Sequence, residues 1–320
     1  MKLVFMGTPE FARATLASLH QSDHQILAVV TGRDKPAGRR RKLTPTPVRE
    51  EAEQHGMPVL MPKSLKSDKF FAAMRELEAD LFVVAAFRIL PPRVFSLPRR
   101  GSINIHTSLL PRYRGAAPIH WAIINGETET GLTSFFLKET VDTGDMILQE
   151  KTEITREDTY DTLHARLSRM AGPFLLETLN LIERGESRPV PQTDVEATRA
   201  PKITPEDGLI DFGMPARRVC DFVRGLATKP GAYTYFQGKK TKLHFCVEVT
   251  EDIPDTDGSR PGQVLPDRKR LLIQCGKVNG QPTAVEVLRI VPEGKREMDG
   301  RSFVNGFRPE PSDVFGERVS

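Results

Sequence analysis

The sequence is short of cysteine. Its 320 residues include only three, Cys220, Cys246 and Cys275, with no close pair along the chain. An odd, scattered set argues against a disulfide framework and against a zinc site, and suits small buried apolar residues instead. No metal is expected. Long hydrophobic runs are missing as well. No apolar stretch approaches the roughly 20 residues needed to span a bilayer, so no membrane partner is expected. The apolar start at residues 2–6 is only a strand long before Gly7-Thr8-Pro9. That is too short for a secretory signal, and a cytoplasmic protein is expected. The turn after this first strand reads Gly7-Thr8-Pro9-Glu10 and lacks the G-x-G-x-x-G fingerprint, which ranks a nicotinamide dinucleotide oxidoreductase last. Internal repeats and extended low-complexity segments are also absent.

What is present begins with size and pattern. A chain of this length suggests two domains, and an apolar content of 38% is ample for packed cores. Residues 2–6 and 26–31 read as strands. Between them Phe11, Leu16 and Leu19 follow Pro9 at nearly helical spacing. The alternation continues with a helix over 48–55, a short strand at 58–60, a helix over 66–77 and a buried strand over 80–86. Strands alternating with helices predict a mostly parallel, Rossmann-like sheet covered on both faces. A long helix is predicted over 157–184, with Thr155-Arg156-Glu157-Asp158 as its capping box and Gly185 as its stop. Residues 188–202 are rich in proline and polar groups and read as a linker. One helix over 215–226 and several short alternating strands follow, which suits a small open β-barrel. The expected division is 1–187, linker 188–204, and 205–320.

The net charge is only +4, so distribution matters more than the total. Arg33, Lys35, Arg39, Arg40, Arg41 and Lys42 crowd a short loop against one acid, Asp34. Most charge runs are solvated surface and no more. A polyanionic partner is the other reading.

The segment I-N-I-H-T-S-L-L-P-R-Y-R-G at 103–115 carries the most information. As a strand it sends Ile103 and Ile105 to one face and Asn104 and His106 to the other. Pro111 then ends any regular strand. On their own these two polar residues suit a satisfied sheet histidine beside a turn asparagine. Further along lies V-D-T-G-D, with Asp142, Gly144 and Asp145. Asp142 alone also suits a turn.

N-x-H, S-L-L-P-x-Y-x-G and D-x-G-D together resemble the catalytic core of the folate-dependent formyltransferases, and the combination is far more specific than any one piece. The opening K-L-V-F-M-G-T-P-E-F-A, the loop at 31–48, and the C-terminal pieces I-D-F, V-R-G-L, P-G-A-Y-T, P-G-Q-V and E-G-K-R-E-M extend the resemblance from Lys2 to about Phe307. They point to the branch of the family that formylates initiator methionyl-tRNA.

The resemblance implies an α/β catalytic domain followed by a smaller OB-like barrel that binds tRNA. It implies 10-formyltetrahydrofolate as the donor, initiator methionyl-tRNA as the acceptor, and a monomer. It makes Asn104 a binder of the oxyanion, His106 an oxyanion binder and proton carrier, and Asp142 a modulator and relay. The pterin pocket would be lined by Ala86, Phe87, Arg88, Ile89 and Leu90, by Ser108, Leu109, Leu110 and Pro111, and by Leu137 and Val141. Asp145 is expected to be structural. Many relatives carry tyrosine and glycine where Phe87 and Arg88 stand, and tryptophan at Lys229. Contacts to tRNA would come from Arg33, Lys35, Arg39, Arg40, Arg41 and Lys42, and from Lys229, Lys239 and Lys240, with Arg40 or Arg41 entering the acceptor stem. The alternatives are a formyltransferase or hydrolase of the same donor acting on a small amine or water, and an RNA-binding module without catalysis.

Overall fold

Lys2–Gly7 forms the central strand because every residue from Val4 to Met6 meets an apolar layer on one face or the other. Val4 and Met6 pack with Val30, Phe70, Met74, Phe82, Val84, Leu90 and Val94. The computed structural model describes residues 1–37, 42–250, 253 and 260–316. Across the sheet the order is Val59–Leu60, Gln25–Val30, Lys2–Gly7, Leu81–Ala85, Ser102–His106, Glu129–Phe136 and Met146–Glu153. The first five strands run parallel; Glu129–Phe136 runs against them, and Met146–Glu153 pairs antiparallel with it in turn. This is the mostly parallel, Rossmann-like architecture the alternating pattern predicts.

Helix starts follow local chemistry. Thr46 caps Pro47–Gln54 by accepting the Arg49 N–H at 3.1 Å, with proline in the first turn. Ser67 caps Asp68–Glu76 in the same way, accepting the Phe70 N–H. The expected capping box at Thr155–Asp158 is a correction: the long helix runs Tyr160–Glu183. Asp158 instead closes a turn by accepting the Thr155 N–H at 2.9 Å, and Thr159 and Thr162 exchange side-chain-to-backbone bonds at the real start.

Two units make up the chain. One comprises Met1–Pro118, Glu129–Glu153 and His164–Pro201; the other comprises Ile119–Thr128, Ile154–Leu163 and the chain from Lys202 onward. The second unit holds a nearly closed antiparallel barrel. Its strands lie in the order Val264–Leu265, Leu272–Val278, Gln281–Val291, Lys239–Glu248, Ala232–Phe236 and Phe315–Gly316. The edges meet where Gln263 bridges Val314 and the Phe315 N–H donates to the Gly262 carbonyl at 2.7 Å. Ala232–Phe236 alternates buried and half-buried residues, as a barrel wall must. The helix Ala216–Gly225 plugs this core with Val219, Cys220 and Val223. The helices Pro118–Ile124 and Gly300–Phe307 are absent from the sequence reading. Each is short and lies where proline or glycine masked the helical period.

The three cysteines pack in the apolar core of the barrel unit, as small buried residues do. They are far apart in sequence, yet Cys220 and Cys246 have sulfurs 3.6 Å apart. All three are buried free thiols. The bond to Cys220, and then burial, push the Cys246 thiol well above its ordinary value, and burial raises Cys275.

Candidate active site

Ser102–His106 ends at the carboxyl edge of the sheet, where open α/β folds bind their ligands. Ile103 and Ile105 are buried against the layers of the fold, which anchors the strand. Asn104 and His106 share the opposite side-chain direction. His106 is almost fully buried. Its Nε2 lies 2.8 Å from the main-chain oxygen of Tyr113. A carbonyl only accepts, so Nε2 carries the hydrogen and donates it. That leaves Nδ1 as the nitrogen free for chemistry. Nδ1 stands 3.8 Å from Oδ2 of Asp142. The side-chain amide of Asn104 makes no hydrogen bond among the described residues and is half-buried.

Asp142 reaches this position through an unusual backbone. Its φ is +56°, in the left-handed region that Asp and Asn tolerate better than most residues. Its Oδ2 accepts the Gly115 N–H at 2.9 Å. The loop is closed by Phe136 N–H donating to the Asp145 carbonyl and by the Lys138–Asp145 ion pair at 2.7 Å. Gly144 is required there: a Cβ would lie 1.5 Å from the Phe136 oxygen. Asp145 is therefore a brace, and Asp142 is both turn former and neighbour of the imidazole.

The expected pocket residues divide into two groups. Ala86, Phe87, Arg88, Ile89 and Leu90 follow the strand Leu81–Ala85, and Ala86 also has positive φ. The backbones of Phe87 to Leu90 make no hydrogen bond among the described residues, so their polar groups are available. Phe87, Leu90 and Leu137 pack in one apolar cluster, while Ile89 is 74% exposed and Val141 is 47% exposed. A cleft beside them is lined by Pro92, Phe95, Ser96, Leu137, Lys138, Glu139, Thr140 and Thr143. The Arg88 guanidinium lies 5.3 Å from the Phe87 ring and donates to the Pro62 carbonyl at 3.3 Å. Burial lowers its pKa from the ordinary value. The second group sits deeper. Ser108 is wholly buried and donates its hydroxyl to the Arg112 carbonyl at 2.7 Å. Leu110 is buried and its N–H donates to the Thr133 hydroxyl at 3.1 Å; Pro111 is buried too, and Leu109 is half-buried. Ser108, Leu110 and Pro111 thus shape the loop from within.

The expected tRNA residues lie in both units. Arg33 is exposed, and its acidic neighbour Asp34 is taken by Arg49 at 2.6 Å. Lys35–Ala37 and Lys42–Thr44 pair as two short antiparallel strands. Arg39, Arg40 and Arg41 lie outside the described residues. In the barrel unit Lys229 and Lys239 are exposed, and Lys240 Nζ sits 3.4 Å from the centre of the Tyr233 ring. No group of three or more potential metal ligands occurs among the described residues, and none of their helices is long and apolar enough to cross a membrane.

Comparison with known proteins extends this geometry. A family model described as formyl transferase matches residues 1–179, and one described as formyl transferase, C-terminal domain, matches residues 202–308. The chain belongs to the formyl transferase family. Among the relatives of this formyl transferase, a methionyl-tRNA formyltransferase of Caldanaerobacter subterraneus subsp. tengcongensis is 44% identical over 308 residues, covering 96% of this chain and 97% of that one. The methionyl-tRNA formyltransferase of Chlorobium limicola is 44% identical over 314 residues, covering 97% of both chains. Among solved structures, WlaRD, a sugar 3N-formyl transferase crystallised in the presence of dTDP and 5-N-formyl-THF, superposes with a TM-score of 0.67 at 16% identity, over 92% of this chain and 99% of that one. At that identity the likeness concerns the fold alone.

The sequence reading missed three groups that contact the site: the Tyr113 carbonyl on His106, the Gly115 N–H on Asp142, and Gln192, whose Nε2 donates to the Asp142 carbonyl at 2.9 Å. The first two are main-chain groups, which no side-chain pattern announces. Gln192 lies in the segment read as linker and has no motif around it.

Proposed function

We propose that this formyl transferase moves the formyl group of 10-formyltetrahydrofolate to the free amino group of initiator methionyl-tRNA, as a cytoplasmic monomer. The observation that carries the chemistry is the 3.8 Å approach of the Asp142 loop to His106, which stands on the strand that also presents Asn104. The choice of acceptor is supported by full-length likeness to proteins named methionyl-tRNA formyltransferase. The donor is supported by the free backbone groups of Phe87 to Leu90 beside the apolar cluster of Phe87, Leu90 and Leu137. Ligand sites of this kind pair an apolar wall with a few fixed polar groups. The monomer and the cytoplasm rest on the family resemblance.

The mechanism follows from the two nitrogens of His106. The acceptor amine must lose a proton to attack the formyl carbon. A C–N bond forms there, and the carbonyl oxygen takes the charge. Asn104 offers an unspent amide N–H to that oxygen, and a donor placed before the reaction needs no reorganisation during it. Nδ1 of His106, with its ring fixed by Tyr113, is the group placed to donate to the oxyanion or to move a proton. Asp142 stabilises the imidazolium that results. The bond from the formyl carbon to N10 then breaks, and the proton lost by the amine ends on N10. General acid–base help of this kind contributes about 10²–10⁴-fold.

A single-turnover reaction tests this. The formyl donor is mixed with methionyl initiator tRNA, and separately with uncharged tRNA, water, an amino sugar nucleotide and glycinamide ribonucleotide. Formylmethionyl-tRNA and tetrahydrofolate should appear together only with the charged tRNA. Comparable transfer to a small amine or water would replace the acceptor, and an unconsumed donor in every arm would refute the proposal.

A further inference from the structure

The segment at 188–202 is more than a tether. Val190 exchanges two backbone bonds of 2.9 Å with Met146, and Arg199–Ala200 pairs in parallel with Arg114–Gly115. Between these anchors lies Gln192. Its Nε2 donates to the carbonyl of Asp142 at 2.9 Å and to the carbonyl of Gly144 at 2.8 Å. Its Oε1 accepts from Nε of Arg114 at 2.9 Å. Carbonyls only accept and arginine only donates, so this amide orientation alone satisfies all three partners.

The bonds form a closed circuit. Arg114 precedes Gly115, whose N–H holds Oδ2 of Asp142 at 2.9 Å. Gln192 holds the other side of the same residue, its main-chain oxygen. Arg114 is itself steadied by Asp194 at 2.9 Å. Gly115 has φ +130°, and a Cβ there would lie 2.5 Å from the Ala200 oxygen, so the segment presses directly on the loop.

We propose that Gln192 is a positioning residue for formyl transfer: it clamps the Asp142 loop to the Arg114–Gly115 loop and thereby sets where the Asp142 carboxylate stands relative to His106. It acts through Asp142 and touches no substrate. The inference deepens the function proposed above and rests on that reading for its kinetic consequence. Its structural consequence can be read without any substrate.

The test uses the full chain with Gln192→Met, which keeps length and volume but has no N–H donor, and Gln192→Glu, which keeps the acceptor for Arg114 but sets a carboxylate against two carbonyls. Single-turnover rate, donor affinity and tRNA affinity are measured. In parallel, amide hydrogen exchange is followed in ¹⁵N-glycine-labelled protein. Both variants should lose about 10–100-fold in rate, because small misplacement of a catalytic group is costly. Donor and tRNA affinity should stay within about twofold, since the loss concerns the transition state. The Gly115 amide should exchange at least about tenfold faster, while Gly7 in the central sheet keeps its protection. Wild-type rates with unchanged Gly115 exchange would overturn the proposal. So would faster exchange at Gly7 and Gly115 alike, which would make Gln192 a general stability residue. If the wild-type chain forms no formylmethionyl-tRNA, the proposed function fails, and the exchange of Gly115 against Gly7 still decides whether Gln192 is the clamp.

Discussion

His106 and Tyr113 are joined by a 2.8 Å hydrogen bond from the imidazole Nε2 to the tyrosine main-chain oxygen. One bond does two things. It restrains the ring, and it assigns the proton to Nε2, so the nitrogen left without a hydrogen is the one beside Asp142. Replacing His106 by alanine should therefore reduce the single-turnover rate by about 10²-fold or more. Affinity for tRNA, measured by filter binding, should stay close to wild type. Loss of tRNA binding in that variant would contradict the assignment.

Asp142 should separate charge from conformation. Asparagine tolerates the left-handed backbone observed here, φ +56°, and its side-chain oxygen still accepts from Gly115. Asp142→Asn is expected to remain within about 1 kcal/mol of wild-type stability, because only one hydrogen bond weakens. Its transfer rate should fall about 10²-fold, because the charge beside His106 is gone. Asp142→Ala should lose both rate and about 1–3 kcal/mol, leaving the Gly115 N–H without its acceptor. Denaturant unfolding and single-turnover kinetics on both variants check the contrast. Equal stability losses would mean that the carboxylate matters for folding rather than chemistry.

The legible parts were those written in side-chain period. The alternation of strands and helices predicts the parallel sheet, and the short alternating runs after residue 230 predict the barrel. Asn104, His106 and Asp142 are legible as residue types, and period two puts Asn104 and His106 on one strand face. Illegible were features made by the main chain or by distant pairing. The Thr155–Asp158 turn has the letters of a capping box, yet its acid satisfies Thr155 and the helix begins at Tyr160. Gln192 sits among prolines and polar residues, and nothing local marks it as the partner of loops far away in sequence. Ser108 carries a hydroxyl fit for a ligand, but burial and the Arg112 carbonyl claim it.

A buried ion pair holds the barrel unit to its own preceding segment. Asp221 and Arg224, at 2% and 5% side-chain exposure, pair at 2.9 Å, and Arg224 donates to the carbonyls of Thr155 and Asp158. Removing one partner leaves the other charge buried. Asp221→Ala should cost about 3–5 kcal/mol, whereas a pair on the surface would cost about 1 or less. Labelling of the neighbouring buried thiol Cys220 during denaturant unfolding reads this directly. A midpoint close to wild type would show that the pair adds little.

Acceptor binding should separate from donor binding. Lys239 is exposed, and Lys240 stands over the face of Tyr233, a placement from which either cation can meet phosphate. Each phosphate contact releases counterions, so a lost contact lowers the salt dependence of binding as well as the affinity. Lys239→Ala with Lys240→Ala should weaken tRNA binding and reduce the slope of log K against log salt by roughly one to two. Arg40→Ala or Arg41→Ala should harm acceptor use in the same assay. Affinity for the folate donor should be unchanged in all of these. An unaltered salt slope would remove the two lysines from the phosphate interface, and an equal loss of donor affinity would refute the division of labour between the basic residues and the strand that carries Asn104 and His106.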